Sequence, residues 1–358
     1  MTSGEPHLPG ARWRTVIIVL VVILGMTLSL LIFFRVRVFE RENLQVEFSQ
    51  RATAGATAIH RNIQGHLEVL YSLGALYTAT SQPLNREAFR ELTKGPLKRY
   101  PGVQGLGWVP RVLGGEREAY LAVAQKEGMV DFEIIEWTPR WQVVRAARRD
   151  VYYPIFYIEP LESQKAALGF NLGSVPSYME AMQKALSTEE AVASAWHSLA
   201  QETVEQFGFL LFLPIYQSGV PHRTFEERRA SLQGFTMAIF RLSTLVEKSL
   251  HGMELGNIGL ELSDVTDAAS RYLLSLQLNA SHMSSWTFLP RQSAEPEAIR
   301  AGLHWETTFN VAGRKWSMLF HPIPQARHPS SWQAWSILVV GVLFTFLCAG
   351  FFLLKWRS

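Results

Sequence analysis

The residues of this chain best suited to chemistry are ones that recognise rather than transform. Ser194 and Trp196 put a hydroxyl and a large indole face two residues apart on one strand candidate, Ala191 to Trp196. Such a pair can orient a small planar or amphipathic molecule. Tyr153, Phe156, Tyr157 and Phe170 lie on nearby short apolar runs and could line the same cavity, although aromatics at strand spacing also fill cores. Asn171, directly after Phe170, brings an amide that is donor and acceptor at once. Reactive chemistry has less to work with. The ten histidines are scattered, and His60 and His66 are six residues apart instead of four, so they do not share the face of a zinc-binding helix. There is no HExxH and no Asp-rich calcium loop, so no metal site or other cofactor is expected. Gly105-Leu106-Gly107-Trp108 lacks the Lys-Ser/Thr of a phosphate loop, and Gly173-Ser174 has no nucleophile-elbow context. The expectation is a binding protein, not an enzyme.

The elements that must position these residues begin at the membrane. Val16 to Phe34 is an uncharged run of 19 residues, long enough at about 1.5 Å of rise each to cross a ~30 Å hydrocarbon layer. It is too long for the apolar part of a signal peptide, and no small-x-small cleavage site follows it before Arg35. A second run, Trp332 to Leu354, also suffices to span, with Trp332, Trp335 and Trp356 at its ends and Lys355 and Arg357 after it. These basic residues mark a cytoplasmic end, which puts both termini in the cytoplasm and residues 38–331 outside it, in a multi-pass protein of the inner (plasma) membrane. Cys348 is the single cysteine and lies in the second run, so the soluble part has no disulfide. A net charge of +3 with no Lys/Arg block gives no reason to expect a nucleic-acid partner; membrane lipid is expected.

Between the spans the chain first reads as a stalk. Ala52, Ala56, Ile59, Ile63, Leu67, Leu70, Leu73 and Tyr77 recur in steps of three and four without an intervening proline. That stripe can pack on its own domain or pair with a second copy, giving a homodimer through the stalk helix. Asn85 is a candidate N-cap for a helix over 86–99. Short apolar runs at 103–109, 153–158, 166–172 and 207–216 alternate with helical patterns, the clearest at 177–186. The polar stretch from Gln217 to Arg229 reads as a connection, and further strand candidates follow at 234–240, 257–264, 271–278, 303–311 and 315–320. The division expected is a cytoplasmic tail (1–15), a span (16–37), a stalk (38–82), two α+β units (83–218 and 219–326), a second span (332–354) and a tail (355–358).

PGVQGLGWVPRV, Pro101 to Val112, followed by Glu116-Arg117 and Tyr120, resembles the opening signature of the CHASE sensor family. YYPIFYIEP (152–160), ALGFNLGS (167–174), AVASAW (191–196), GFLLFLPIY (208–216) and GFTMAIFRLSTLV (234–246) are similar to later segments of that family in order and spacing. The resemblance implies an α+β fold: a long stalk helix and two tandem PAS-like units between transmembrane helices, the membrane-distal unit binding a small molecule of unknown identity. It aligns Asn171 with the acidic position that meets the purine ring in cytokinin receptors, so here a neutral amide replaces a charge-assisted acceptor. The resemblance places the pocket in that unit, and residue type adds Ser194, Trp196, Tyr157 and Phe170 to Asn171 as the expected ligand contacts. Trp108 is expected in the core at a sheet–helix interface, and Arg111 beside Glu116 or Glu118. Family members commonly carry a kinase or cyclase after the second span. With the sequence ending at Ser358, output is expected from a separate histidine kinase or cyclase protein, or from a further portion of the protein. The alternative is a membrane interaction protein that regulates a partner without binding a small ligand.

Overall fold

The computed structural model describes residues 10–79, 84–138, 142–198, 207–267, 272–279, 282–290, 295–323 and 332–355. In chain order the elements are α1 (Gly10–Ala79), α2 (Arg86–Arg99), β1 (Val103–Pro110), β2 (Val112–Leu113), α3 (Arg117–Lys126), β3 (Ile135–Trp137), β4 (Val143–Arg145), β5 (Val151–Tyr152) and β6 (Tyr157–Glu159). There follow α4 (Leu161–Gln164), α5 (Pro176–Thr188), β7 (Val192–Ala193), β8 (His197–Ser198), β9 (Phe207–Tyr216), α6 (Phe225–Ser231), β10 (Leu232–Arg241) and α7 (Leu242–Leu250). The last group is β11 (Ile258–Asp264), β12 (Tyr272–Asn279), β13 (His282–Pro290), α8 (Glu295–Arg300), β14 (Trp305–Val311), β15 (Arg314–Pro322) and α9 (Trp332–Lys355). They form two compact units, one of residues 1–50 and 324–358, the other Arg51–Ile323.

The first unit is apolar on its outside. Leu24 and Leu347 are 71% and 72% exposed, which suits side chains that face lipid. Its two helices meet through small residues: Gly25 lies against Thr345 and Gly341 against Ser29, so the pairs Gly25/Ser29 and Gly341/Thr345 let the backbones approach closely. The Ser29 and Thr345 hydroxyls donate to the carbonyls of Gly25 and Gly341 one turn earlier, at 2.8 Å each, so neither is left unsatisfied. Phe33 packs on Trp335 with centroids 5.2 Å apart. Two helices long and apolar enough to cross a membrane therefore flank the second unit in sequence.

In the second unit, the Asn85 side chain caps α2 by accepting from the Ala88 N–H at 2.9 Å, as its residue type anticipates. One antiparallel sheet runs β6-β1-β10-β9-β7, with β8 also paired to β9. A second runs β13-β12-β11-β15-β14. The first sheet corrects the expected division at Gln217–Arg229. Strand β10 does not open the second sheet but lies in the middle of the first, pairing Leu106↔Ala238 on one side and Ala238↔Leu211 on the other. The polar stretch, capped at α6 by Thr224 and Glu227, only connects neighbouring antiparallel strands. The first α+β unit, distal along the stalk helix, therefore reaches to α7, and the second, proximal unit starts with β11. Residues 166–172, expected as a strand, form 3-10 turns and isolated bridges instead, and β13 was not anticipated.

The stalk stripe is filled by its own unit. Ala52, Ala56, Ile59, Ile63, Leu67, Leu70, Leu73 and Tyr77 are all at most 8% exposed. Gly55 meets Phe320 and Leu250 at the proximal end, and Gly74 meets Leu213 and Ile215 at the distal end. That face cannot pair with a second copy; Thr53, Thr57, Arg61, Gln64, Glu68 and Ser72 form the exposed one.

Candidate functional site

The distal sheet has two faces with different duties. Leu106 and Trp108 turn toward the stalk, where Tyr77 stacks on Trp108, so Trp108 is half-buried at a sheet–helix interface. The alternate residues Val109, Phe235, Met237 and Ile239 form the other face, covered by Tyr178, Ala181, Met182 and Ala185 of α5 and by Phe170 and Leu172. At the margin of this covered face Tyr153 stands edge-on to Phe235, with centroids 5.8 Å apart. Gly173 lies so close to the Tyr153 ring that an added Cβ would come within 3.0 Å of it. Trp137 of β3 stacks on Phe170 at 4.7 Å and 28°. Arg111, expected beside Glu116 or Glu118, instead lies close enough to the Tyr153 phenol for its charge to act on it. Glu116 accepts from the Leu113 N–H, and Glu118 lies 3.6 Å from Arg145. Burial pushes the Tyr153 phenol up, against the opposing pull of the Arg111 and Arg229 charges. Two aromatic pairs, one half-buried phenol and a guanidinium can hold an amphipathic molecule with an acidic group.

Asn171 adjoins this place but is occupied. Its carbonyl oxygen accepts from the Tyr153 N–H at 2.9 Å, and its amide donates to Glu136 Oε1 at 2.8 Å. Glu136 also receives Arg149, at 2.7 and 3.2 Å. Burial pushes the Glu136 carboxyl up, but hydrogen bonds from Arg149 and Asn171 and the charges of Arg149 and Arg117 outweigh it and hold the group below the usual carboxylate range. Asn171, fully buried, clamps three segments and positions Tyr153.

The other four expected contacts do not converge with it, Phe170 excepted. Tyr157 lies on the stalk face, 5.6 Å from Phe89 of α2, and donates to Glu127 at 2.7 Å. Ser194 is fully buried; its hydroxyl accepts from the Leu210 N–H and donates to the Ala195 carbonyl, both at 3.0 Å. Trp196 points at the proximal sheet, edge-on to Trp316 at 5.1 Å. Residue type alone brought these into one group; the pleat separates them. Arg111 and Trp137 were missed, the first because it reads as a surface charge after a strand, the second because β3 has three residues and no periodicity. A separate recess of about 300 Å³ lies between α1 and α2, lined by Leu73, Leu76, Leu92, Pro96 and Tyr100 among others, with Glu68 and Arg99 also contributing. Among the described residues no group of three or more His, Cys, Asp or Glu could hold a metal.

A stalked α+β domain, set in sequence between two apolar helices, is the build of a membrane-anchored sensor domain. This chain belongs to the CHASE domain family, whose model matches residues 82–274. It is 24% identical over 315 residues to hybrid signal transduction histidine kinase A of Dictyostelium discoideum, an alignment covering 84% of this chain and 14% of that protein. The chain thus spans about one-seventh of the length of that relative. The ligand-binding domain of the Pseudomonas aeruginosa PAO1 amino acid chemoreceptor PctC, solved in complex with GABA, matches at a TM-score of 0.42 and 11% identity, covering 77% of this chain and 98% of that one. Methyl-accepting chemotaxis protein X matches at 0.42 and 10%, covering 81% and 100%.

Proposed function

We propose that this chain is the input module of a membrane receptor, in which a small extracytoplasmic molecule binds the distal unit on the sheet face turned away from the stalk. The observation that carries this reading is that one sheet has Tyr77 of the stalk packed on one face and the Tyr153–Phe235 contact on the other. A ligand held at the second face alters the sheet that the stalk rests on. It shifts the stalk only if it binds two arrangements with different affinity. The ligand class we favour is a small amphipathic acid, its acidic group at Arg111 and its apolar part against Trp137, Phe170 and Phe235.

The module itself is not an enzyme in this reading. Output passes to a histidine kinase or cyclase, in a separate protein or in a further portion of this one; the kinase relative supports the first of these output classes. The protein sits in the inner (plasma) membrane with both termini cytoplasmic. Any homodimer uses the exposed stalk face with Arg61, Gln64 and Glu68. The test is a thermal-shift screen of the full chain in non-ionic detergent against small carboxylic acids, where a ligand at 100 times its Kd stabilises by about 2.7 kcal/mol. The expected hit loses its shift in Arg111→Met and keeps it in Leu92→Trp, which fills the recess between α1 and α2. The opposite pattern moves the site to that recess, and a screen without hits favours a module that acts on a partner without a small ligand.

A further inference from the structure

The proximal sheet also has two faces, and the one turned from the stalk is polar. Trp316, Met318 and Phe320 alternate toward the stalk side, where Phe320 meets Gly55. Ser317, Leu319 and His321 therefore share the other side, and the strand register places Glu261 beside Leu319 and Ser275, and Gly259 beside His321. Glu261 is 5% exposed. Its Oε1 accepts from the Ser275 hydroxyl at 2.7 Å and lies 3.5 Å from His321 Nε2. Its Oε2 is buried without a hydrogen-bond partner, and so is His321 Nε2. The imidazole lies directly on the Gly259 backbone, where any Cβ would collide with it, so the glycine fixes the ring beside the carboxylate. His321 Nδ1 faces the Pro322 carbonyl at 3.3 Å.

A carboxylate oxygen and an imidazole nitrogen thus lie side by side in a buried place, neither with a hydrogen-bond partner. A carboxylate oxygen in that position is costly unless a positive group meets it. The other nearby carboxylate is already served: Glu306 takes Arg300 at 2.9 and 3.0 Å and Ser317 at 2.8 Å. Two side-chain ligands are too few for a resident metal ion, whereas an ammonium group supplies several N–H donors and the charge together. Gln277 and Thr308 on the same face are exposed, and the His321 side chain is 17% exposed, which gives a route from solvent. We propose that the membrane-proximal unit holds a second binding site, for the ammonium group of a small primary amine, formed by Glu261 and His321 and oriented by Ser275 and Gly259. It is independent of the distal site.

Saturation-transfer NMR on the full chain in non-ionic detergent tests this with two probes of equal charge, methylammonium and tetramethylammonium, only the first of which has N–H donors. Methylammonium should bind and tetramethylammonium should not. Glu261→Gln should weaken methylammonium by about tenfold or more, while Arg111→Met leaves it unchanged. His321→Phe keeps a ring on Gly259, removes Nε2 and should weaken binding likewise, so it carries the test if Glu261→Gln unfolds. Equal binding of the two cations, no binding of methylammonium, or affinity untouched by a folded variant at either position would overturn the proposal.

Discussion

Tyr77 lies flat on Trp108, ring centroids 4.4 Å apart and planes 20° from parallel. The two residues belong to the last turns of the stalk and to the strand that carries the most recognisable motif of the chain. Gly107 sits beside Trp108, and a Cβ there would come within 2.8 Å of the Met237 methyl, so this part of the motif leaves room for Met237 on the covered face while Trp108 presents its indole to the stalk. Motif recognisability here marks the joint between sensor and stalk.

That joint can be measured. A double-mutant cycle of Tyr77→Ala and Trp108→Ala should give a coupling energy of about 0.5–1.5 kcal/mol, the usual value of an aromatic pair beyond its buried area. Additive losses of thermal stability would mean that the stack transmits nothing. In a responsive receptor, Trp108→Ala should also leave ligand affinity nearly intact while reducing the ligand-induced change at the stalk.

Asn171 gives a sharper outcome than its position in the family motif suggested. Asn171→Leu strands the Tyr153 N–H and deprives Glu136 of a donor, each costing about 1–3 kcal/mol, and the loss should hardly vary between pH 5 and 7. Asn171→Asp instead sets a second carboxylate against Glu136. Like charges raise one of the two pKa values, so the protonated pair is favoured in the folded state and stability falls as pH rises. Denaturation of both variants at pH 5 and pH 7 separates the clamp from a ligand-only role, in which neither variant would lose stability.

Much of the architecture was legible because it rests on local patterns. Two uncharged runs, a three-four stripe and an Asn N-cap specify helices without knowledge of their neighbours. The sheet membership of β10 was not legible: of its residues only Gln233 and Arg241 are less than buried, so no alternation shows which faces it covers. The adjacent polar stretch then suggested a boundary that pairing with both β1 and β9 abolishes. The site failed for a related reason. Tyr157 and Phe170 are alike in type, and only the pleat, which places Tyr157 opposite Trp108, decides that one faces the stalk and the other faces away.

A pH effect should come from His197. Its ring is edge-on to Tyr178 at 4.9 Å, and burial pushes the imidazole down to about 4, only partly opposed by the hydrogen bond with the Ala195 carbonyl. The unfolded chain binds the proton at roughly 6.5, so the stabilisation is complete above that value and is lost as pH falls toward 4, by about 3 kcal/mol in all. His197→Gln should flatten the difference in thermal stability between pH 7.5 and 4.5. An unchanged difference would assign the acid sensitivity to other groups, His66 among them, which burial also pushes down.

Within the membrane unit, Gly341→Leu should separate the two helices, since Ser29 already occupies the space where a Cβ would stand. Disulfide formation between cysteines introduced at Gly25 and Thr345 should proceed in the parent chain and fail once Gly341→Leu is added. Equal crosslinking would show that the small-residue contact does not set the helix pairing.

The placement of β10 makes the last prediction. Ala238 sits between Leu106 and Leu211 in the middle of the distal sheet, so its strand has hydrogen-bond partners on both sides. Residues 232–241 should therefore exchange their amide hydrogens together with 103–110 and 207–216, as one cooperative unit. Residues 258–264 and 314–322 should form a separate class around the second sheet. Ala238→Pro removes one donor and inserts a ring where the ladder is continuous, a change tolerated only at sheet edges. It should speed exchange throughout β1 and β9 and leave β11 and β15 nearly as protected as before. If the substitution instead loosened β11 and β15 and spared β1, the polar stretch before β10 would be a domain boundary after all, and the six-stranded distal sheet would be wrong.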